Sequence, residues 1–361
     1  MSASAIPNHL KCPRTLPAQL PSTDFQPPYP SFSVRFPENV SELVLAIIGA
    51  QFKPGSEPGA AVGAARSTLT AFLTSSTSPT LPSFFEWASV TDNKGFYNVT
   101  ALAYWPSRIA YEAWAEQSGF RKWWQALLPE DSPNGWFLEV FFPTTDRFET
   151  LFNTDATPEG SAHMGEAMSE AVQEHGYWGS MRDRIPLAQT DGLAGEKAPP
   201  GDFTAPAAAA GRVVVPGRKN LAVIRSGQDW LDTTPAERVL YLETMHPVVI
   251  KGMDFLRDHG KGVGCHSCRF MEIVDPKTAK AEGIDRTFGL AYFDELASLE
   301  KWCKEHPTHL AIFGGFFQYA KKLGNNVTLR VFHEVMVLEP EQQYFEYVGC
   351  HPGTGMLAAS Q

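Results

Sequence analysis

Leu102-Ala103-Tyr104-Trp105, in the first half of the chain, is answered by Leu290-Ala291-Tyr292-Phe293 in the second. In each copy a tryptophan follows ten residues after the tyrosine, at Trp114 and Trp302. Further out, Leu45-Ala46-Ile47-Ile48 corresponds to Leu221-Ala222-Val223-Ile224. The matches keep one order, which marks an internal duplication. Apolar, β-branched runs near 43–52, 85–91, 97–105 and 136–142 predict strands, with helical patterns near 58–73 and 106–127 between them. The second half reads alike, with strands near 220–228, 264–274, 286–293 and 326–338 and helices near 234–258, 294–304 and 307–323. Strand, helix, strand, strand, helix, strand is the ferredoxin-like order. The expected fold class is therefore α+β: two ferredoxin-like halves whose antiparallel sheets carry helices on one face.

Punctuation sets the expected boundaries. Residues 1–35 are Pro-rich and aperiodic and read as an extended arm, and 36–190 form the first half. Within it, 148–190 is expected to add further helix with an irregular end over 175–184. Residues 191–212, rich in Pro, Ala and Gly, read as a loop, and 213–361 as the second half.

Composition removes several classes of function. The 361 residues suit two domains or one doubled domain. Aromatics make up 12%, with nine Trp and 24 Phe. That surplus suits packed interiors and also the wall of a flat apolar cofactor. A net charge of −10 opposes general nucleic-acid binding, which needs basic stripes to displace counterions. The best apolar run, 43–52, falls far short of the roughly 20 residues of a membrane span, and the N-terminal stretch lacks the apolar core of a signal peptide. Five cysteines, an odd number in a long chain, predict a reducing, cytoplasmic location without a disulfide framework.

The chemistry-bearing residues each carry a plain structural alternative. Cys265-His-Ser-Cys268 is a single CxxC in a strand-like run; zinc wants four ligands, so two unreactive cysteines are expected. In His306-Pro-Thr-His309, Pro307 suits a first helical turn. His309 then starts a helix carrying Ile312, Phe313, Phe316 and Phe317. A neutral imidazole on such a face is what an axial haem ligand requires, and it is equally a core or capping histidine. His333, in LRVFHEVMVL, shares a strand face with Val331 and Val335. It is a satisfied structural histidine or it borders a pocket. Arg182 and Arg184 in GYWGSMRDR, and Ser226 in RSGQD after an apolar strand, are polar groups that turns also use.

Taken together, HLKCPRTLP (9–17), FETLF (148–152), EHGYWGSMRDR (174–184), LAVIRSGQDW (221–230), MDFLRDHG (253–260), HPTHLAIF (306–313), FHEV (332–335) and CHPGTGML (350–357) resemble the haem-containing aldoxime dehydratases, the phenylacetaldoxime dehydratase family. The resemblance spans nearly the whole chain in order. It implies two ferredoxin-like halves, a non-covalent haem b active in its ferrous form, and a haem pocket in the second half. It implies His309 as proximal iron ligand, His333 as distal catalytic histidine, Ser226 and Arg184 holding the oxime hydroxyl, and Glu149 as a supporting carboxylate. It gives Cys265 and Cys268 no role. The implied reaction dehydrates a small-molecule aldoxime to a nitrile. Sheet-faced ferredoxin-like folds often pair, which leaves a homodimer open, and composition predicts no nucleic-acid or membrane partner. Two other readings compete. A haem peroxidase or chlorite-dismutase-like enzyme would want an Arg or Asp over iron without a Ser–His pair. A haem-sensing module would lack a proton donor.

Overall fold

The apolar runs form strands and the capped periodic segments form helices. The computed structural model describes residues 3–55, 59–75, 80–131, 133–197, 211–278 and 280–360. Most of the expected Pro/Ala/Gly-rich loop, 198–210, lies outside the described residues. The strands are β1 (Val34–Arg35), β2 (Val44–Phe52), β3 (Phe84–Thr91), β4 (Tyr97–Trp105), β5 (Gly135–Phe141), β6 (Phe148–Phe152), β7 (Ala167–Met168), β8 (Arg212–Val215), β9 (Leu221–Asp229), β10 (Cys265–Val274), β11 (Arg286–Phe293), β12 (Arg330–Leu338) and β13 (Gln343–Val348). The helices are α1 (Ala60–Leu73), α2 (Arg108–Gln117), α3 (Phe120–Ala126), α4 (Ser180–Arg184), α5 (Pro235–Leu240), α6 (His246–His259), α7 (Leu296–Glu305) and α8 (Pro307–Lys322).

β1 pairs with β7, and the other eleven strands form one antiparallel sheet in the order β6-β12-β9-β11-β10-β3-β4-β2-β5-β13-β8. Residues 44–141 supply β3-β4-β2-β5 and residues 221–338 supply β10-β11-β9-β12, joined where β10 meets β3. Each segment then crosses over. β6, which follows β5, pairs with β12, and β13, which follows β12, pairs with β5. The sheet curls so that Leu45, Ile47, Tyr104, Val223, Tyr292 and Met336 share one interior cluster. Helices cover the outward faces, α1 to α3 around Trp105 and Trp114, and α6 with α7 around Ala222, Ala291 and Val335.

The shared interior also contains charge. Tyr104 donates to Glu334 at 2.9 Å, and Tyr292 donates to Glu139. The tyrosine of each Leu-Ala-Tyr stretch thus reaches a buried glutamate on the fourth strand of the other segment. Arg225 pairs with Glu334, and Arg269 with Glu139. A buried carboxylate without such partners would cost several kcal/mol or take up a proton (~2–7 kcal/mol for even a neutral polar group).

Several expectations need correction. The helix expected over 106–127 breaks at Gly119, whose φ of 83° ends α2 and starts α3. The helix expected over 234–258 starts at a Thr234 cap with Pro235 behind it, but bulges into a π-turn over Tyr241–Met245. β8 and β13 are additional strands. The helix expected within 148–190 is largely absent: the segment contains β6, 3-10 turns and only the five-residue α4. Its backbone is satisfied from outside. Ala3 N donates to Ala171 O (2.9 Å), Gln173 N to Ala3 O (2.9 Å), Val172 N to Ser31 O (2.9 Å) and Ser169 N to Ser33 O (2.8 Å). The extended N-terminal chain therefore takes the hydrogen bonds a helix would have made internally. Among the described residues no helix is long and apolar enough to cross a membrane.

Candidate active site

The pleat of β9 sorts its polar end. Arg225, Gly227 and Asp229 are buried on one face; Ser226 and Gln228, on the other, are half-buried and line a cavity. β9 pairs with β12 so that Ser226 lies opposite His333, and β11 presents Gly289 on its other side. The cavity lies between these strands and helices α6 and α8. It has two lobes, of about 260 and about 620 Å³, with Tyr29, Ser226, Gln228, His309, Phe313 and His333 bordering both.

α8 faces the strands across this space. His306 is its N-cap, accepting from Thr308 N, and its ring stacks on Phe255 at 3.9 Å. His309, one turn in, lines the cavity instead. Trp302 meets it edge-on at 4.8 Å, whereas in the first segment Trp114 stacks on Phe120 at 4.8 Å and the space is filled. His309 Nδ1 is buried with no well-formed hydrogen bond, the Cys303 backbone being the polar group that acts on it. Burial lowers the ring's pKa to about 4, with the Cys303 backbone opposing, so the imidazole is neutral near pH 7. A neutral ring with Nδ1 sealed in protein leaves Nε2 as the donor on the cavity side. Val249, Ile312, Phe313 and Phe316 supply apolar walls. The donor and the walls fit an axially ligated haem.

The opposite wall is ionised. Arg184 donates from Nε to Glu149 Oε2 at 2.7 Å and from Nη2 to Oε1 at 3.1 Å, and its Nη1 donates to the Glu174 carbonyl at 2.7 Å. His333 Nε2 lies 2.9 Å from Arg184 Nη2 and 3.0 Å from Glu149 Oε1. Burial pushes the Glu149 carboxyl up, but the charges of Arg184 and His333 and their hydrogen bonds outweigh it and hold the group below the ordinary 4.5. Arg182 turns away, to Glu300 at 2.7 Å and the Gly192 carbonyl at 2.7 Å.

His309, His333, Ser226 and Arg184 therefore line one cavity, and Glu149 stands directly behind His333 and Arg184. The site expected in the second half draws on both segments, because Glu149 arrives on β6 and Arg184 on α4. Sequence reasoning passed over Gln228, although it must share the face of Ser226 two residues away. It also passed over Tyr29, for which an aperiodic arm offers no signal. His175 is 1% exposed with neither ring nitrogen in a well-formed hydrogen bond; burial, then the charge of Arg184, lowers its pKa to about 4, with the Tyr29 backbone opposing. Cys265 and Cys268 are buried, and burial pushes the first thiol well up and the second to about 12, which removes thiolate reactivity.

Comparison with known proteins agrees with this chemistry. The model of the haem-containing dehydratase family matches residues 46–356. The aliphatic aldoxime dehydratase of Pseudomonas chlororaphis is 38% identical over 357 residues, covering 98% of this chain and 97% of that protein. The phenylacetaldoxime dehydratase of Bacillus sp. (strain OxB-1) is 30% identical over 332 residues, covering 91% and 90%. A crystal structure of an aldoxime dehydratase in complex with butyraldoxime superposes with a TM-score of 0.89 at 36% identity, covering 99% of this chain and 96% of that one. The match spans the strand of His333 and the helix of His309, and the chain belongs to the haem-containing dehydratases, with haem as its cofactor.

Proposed function

We infer that this chain is a haem-dependent aldoxime dehydratase, a hydro-lyase that removes water from an aldoxime to leave a nitrile. The observation that carries the reading is the cluster of His333, Arg184 and Glu149 beside Ser226, in a cavity bounded by His309. His309 would hold the haem iron. Ferrous haem b, when bound, would supply an electron-rich Lewis-acidic metal centre for the oxime group.

The chain supplies the proton traffic. Hydroxide leaves poorly, so the departing oxygen needs a proton, and His333 donates it. In the neutral ring Nε2 accepts from Arg184 Nη2, and in the imidazolium the Nε2–H turns to Glu149, 3.0 Å away. Glu149, held ionised by Arg184 and His333 against the push of burial, stabilises that cation. Ser226, the register partner of His333, and Arg184, whose fork is anchored on Glu149, hold the oxime hydroxyl in line. Once water has left, neutral His333 takes the carbon-bound proton, which restores the imidazolium and completes the nitrile. No electron is gained or lost overall.

A peroxidase-like or chlorite-dismutase-like reading is disfavoured by the Ser226–His333 pair, which such chemistry does not need. We read the two segments as ferredoxin-like copies, supported by their matching strand orders and reciprocal Tyr–Glu bonds. Five free thiols suit a reducing cytoplasm. A homodimer is part of the same reading, with edge strand β8 and its exposed Val214 available for pairing. The test incubates reduced, haem-loaded protein with butyraldoxime and measures butyronitrile. A preparation with a full Soret band and no nitrile overturns the reading.

A further inference from the structure

The N-terminal arm contributes one side chain to the wall shared by the two lobes, at the neck between them. Tyr29 borders both lobes, and Pro28, Pro30 and Ser31 border the larger. Its ring lies 5.1 Å from that of His175, which is fully enclosed. Tyr29 and Arg184 both line the smaller lobe, and burial raises the phenol's pKa against the opposing charge of Arg184.

The backbone holds this ring in place. Pro28 and Pro30 fix their own φ, and a residue before proline is confined to extended conformations. The arm is pinned on both flanks. Phe25 packs edge-on against Tyr177 at 5.3 Å, and Phe32 and Phe152 exchange two backbone hydrogen bonds of 2.8 Å. Behind the ring, Gly176 adopts φ of 78°, and a Cβ there would lie 2.7 Å from Pro28 Cδ. Arm and loop are thus fitted closely, and a wall mounted this way does not step aside for a larger ligand without breaking those contacts.

We propose that Tyr29 is a specificity-determining residue whose ring limits the size of the aldoxime side chain admitted beside His333. The proposal rests on the aldoxime dehydratase reading. Removing the ring opens the neck to bulkier side chains, and enlarging it closes the neck further. Apolar pockets discriminate by about 10–200-fold per methylene-sized difference, so a whole ring moves selectivity by about tenfold or more.

The experiment measures kcat/KM for butyraldoxime and phenylacetaldoxime in the wild-type holoenzyme and in the Tyr29→Ala and Tyr29→Trp variants. Apparent Kd values from the Soret perturbation by each aldoxime give a second readout that does not depend on turnover. Tyr29→Ala is expected to shift the ratio toward phenylacetaldoxime by about tenfold or more, and Tyr29→Trp to shift it the other way. The two variants strain the arm in opposite senses, so one decides if the other fails to fold. An unmoved ratio in a haem-loaded variant, or equal loss for both substrates, overturns the proposal. Wild-type holoenzyme inert toward both aldoximes would instead overturn the dehydratase reading.

Discussion

Arg184→Lys isolates the guanidinium fork from its charge. Arg184 makes four polar contacts: two to Glu149 (2.7 and 3.1 Å), one to the Glu174 carbonyl (2.7 Å) and one to His333 Nε2 (2.9 Å). Lysine keeps the positive charge on a single point and forfeits about two of these contacts. Hydrogen bonds to charged groups contribute about 1.5–3 kcal/mol each, so the loss is about 3–6 kcal/mol. Expressed in the transition state, that is about a 10²–10⁴-fold fall in turnover. Arg182, two residues away, is the internal control. It pairs with Glu300, side chains 18% and 21% exposed, and makes no contact with Glu149 or His333; a lysine keeps that partly exposed ion pair, which contributes about 1 kcal/mol. Arg182→Lys should therefore change turnover by less than about fivefold. The assay is kcat on butyraldoxime per bound haem, with melting temperature recorded for each variant. Full turnover per haem in Arg184→Lys, or a larger loss in Arg182→Lys, would refute the assignment of the fork to Arg184.

Three further outcomes follow from the same geometry. His309→Ala should lose haem while His306→Ala, which removes the α8 cap and the stacking on Phe255, should keep most of it; comparable Soret intensity in the two would sink the ligand assignment. His333→Ala should retain haem and melting temperature and lose about 10²–10⁴ in turnover, with Ser226→Ala losing less. A fall only in proportion to lost haem would make His333 structural. The third concerns acid stability. Because folding holds Glu149 below its unfolded value of 4.5, its contribution is fully present above that pH and is lost as pH falls through the folded value. Glu149→Gln should therefore flatten the decline of melting temperature below about pH 4.5; an unchanged or steeper decline contradicts the pairing.

The contrast between the two segments explains where the site lies. In the first, Trp105, Trp114 and Phe120 close the space between sheet and helices, with Trp105 4.7 Å from Trp114. In the second, Phe293 and Trp302 occupy the corresponding motif positions, but Trp302 faces His309 and the interior opens into the cavity. Gly289 lets Met253 pack directly on the strand: a Cβ there would lie 2.5 Å from its sulfur.

The sequence by itself determined the local frame. Alternation over 330–338 put His333 on one face with Val331 and Val335, and Pro307 with the aromatic spacing behind it put His309 in the first turn of a helix. The repeated Leu-Ala-Tyr stretches announced two similar segments. These features were legible because strand and helix periods are local, fixed within a few residues by backbone geometry. Only the tertiary structure decided which distant groups meet His333. Glu149 reaches it because β6 leaves its own segment to pair with β12. Arg184 reaches it, and Tyr29 reaches the same cavity, through chain without internal periodicity, where 148–190 and the N-terminal arm satisfy each other's backbone hydrogen bonds. Pairing of that kind leaves no period in either partner, since each conformation is dictated by a stretch far away in the chain.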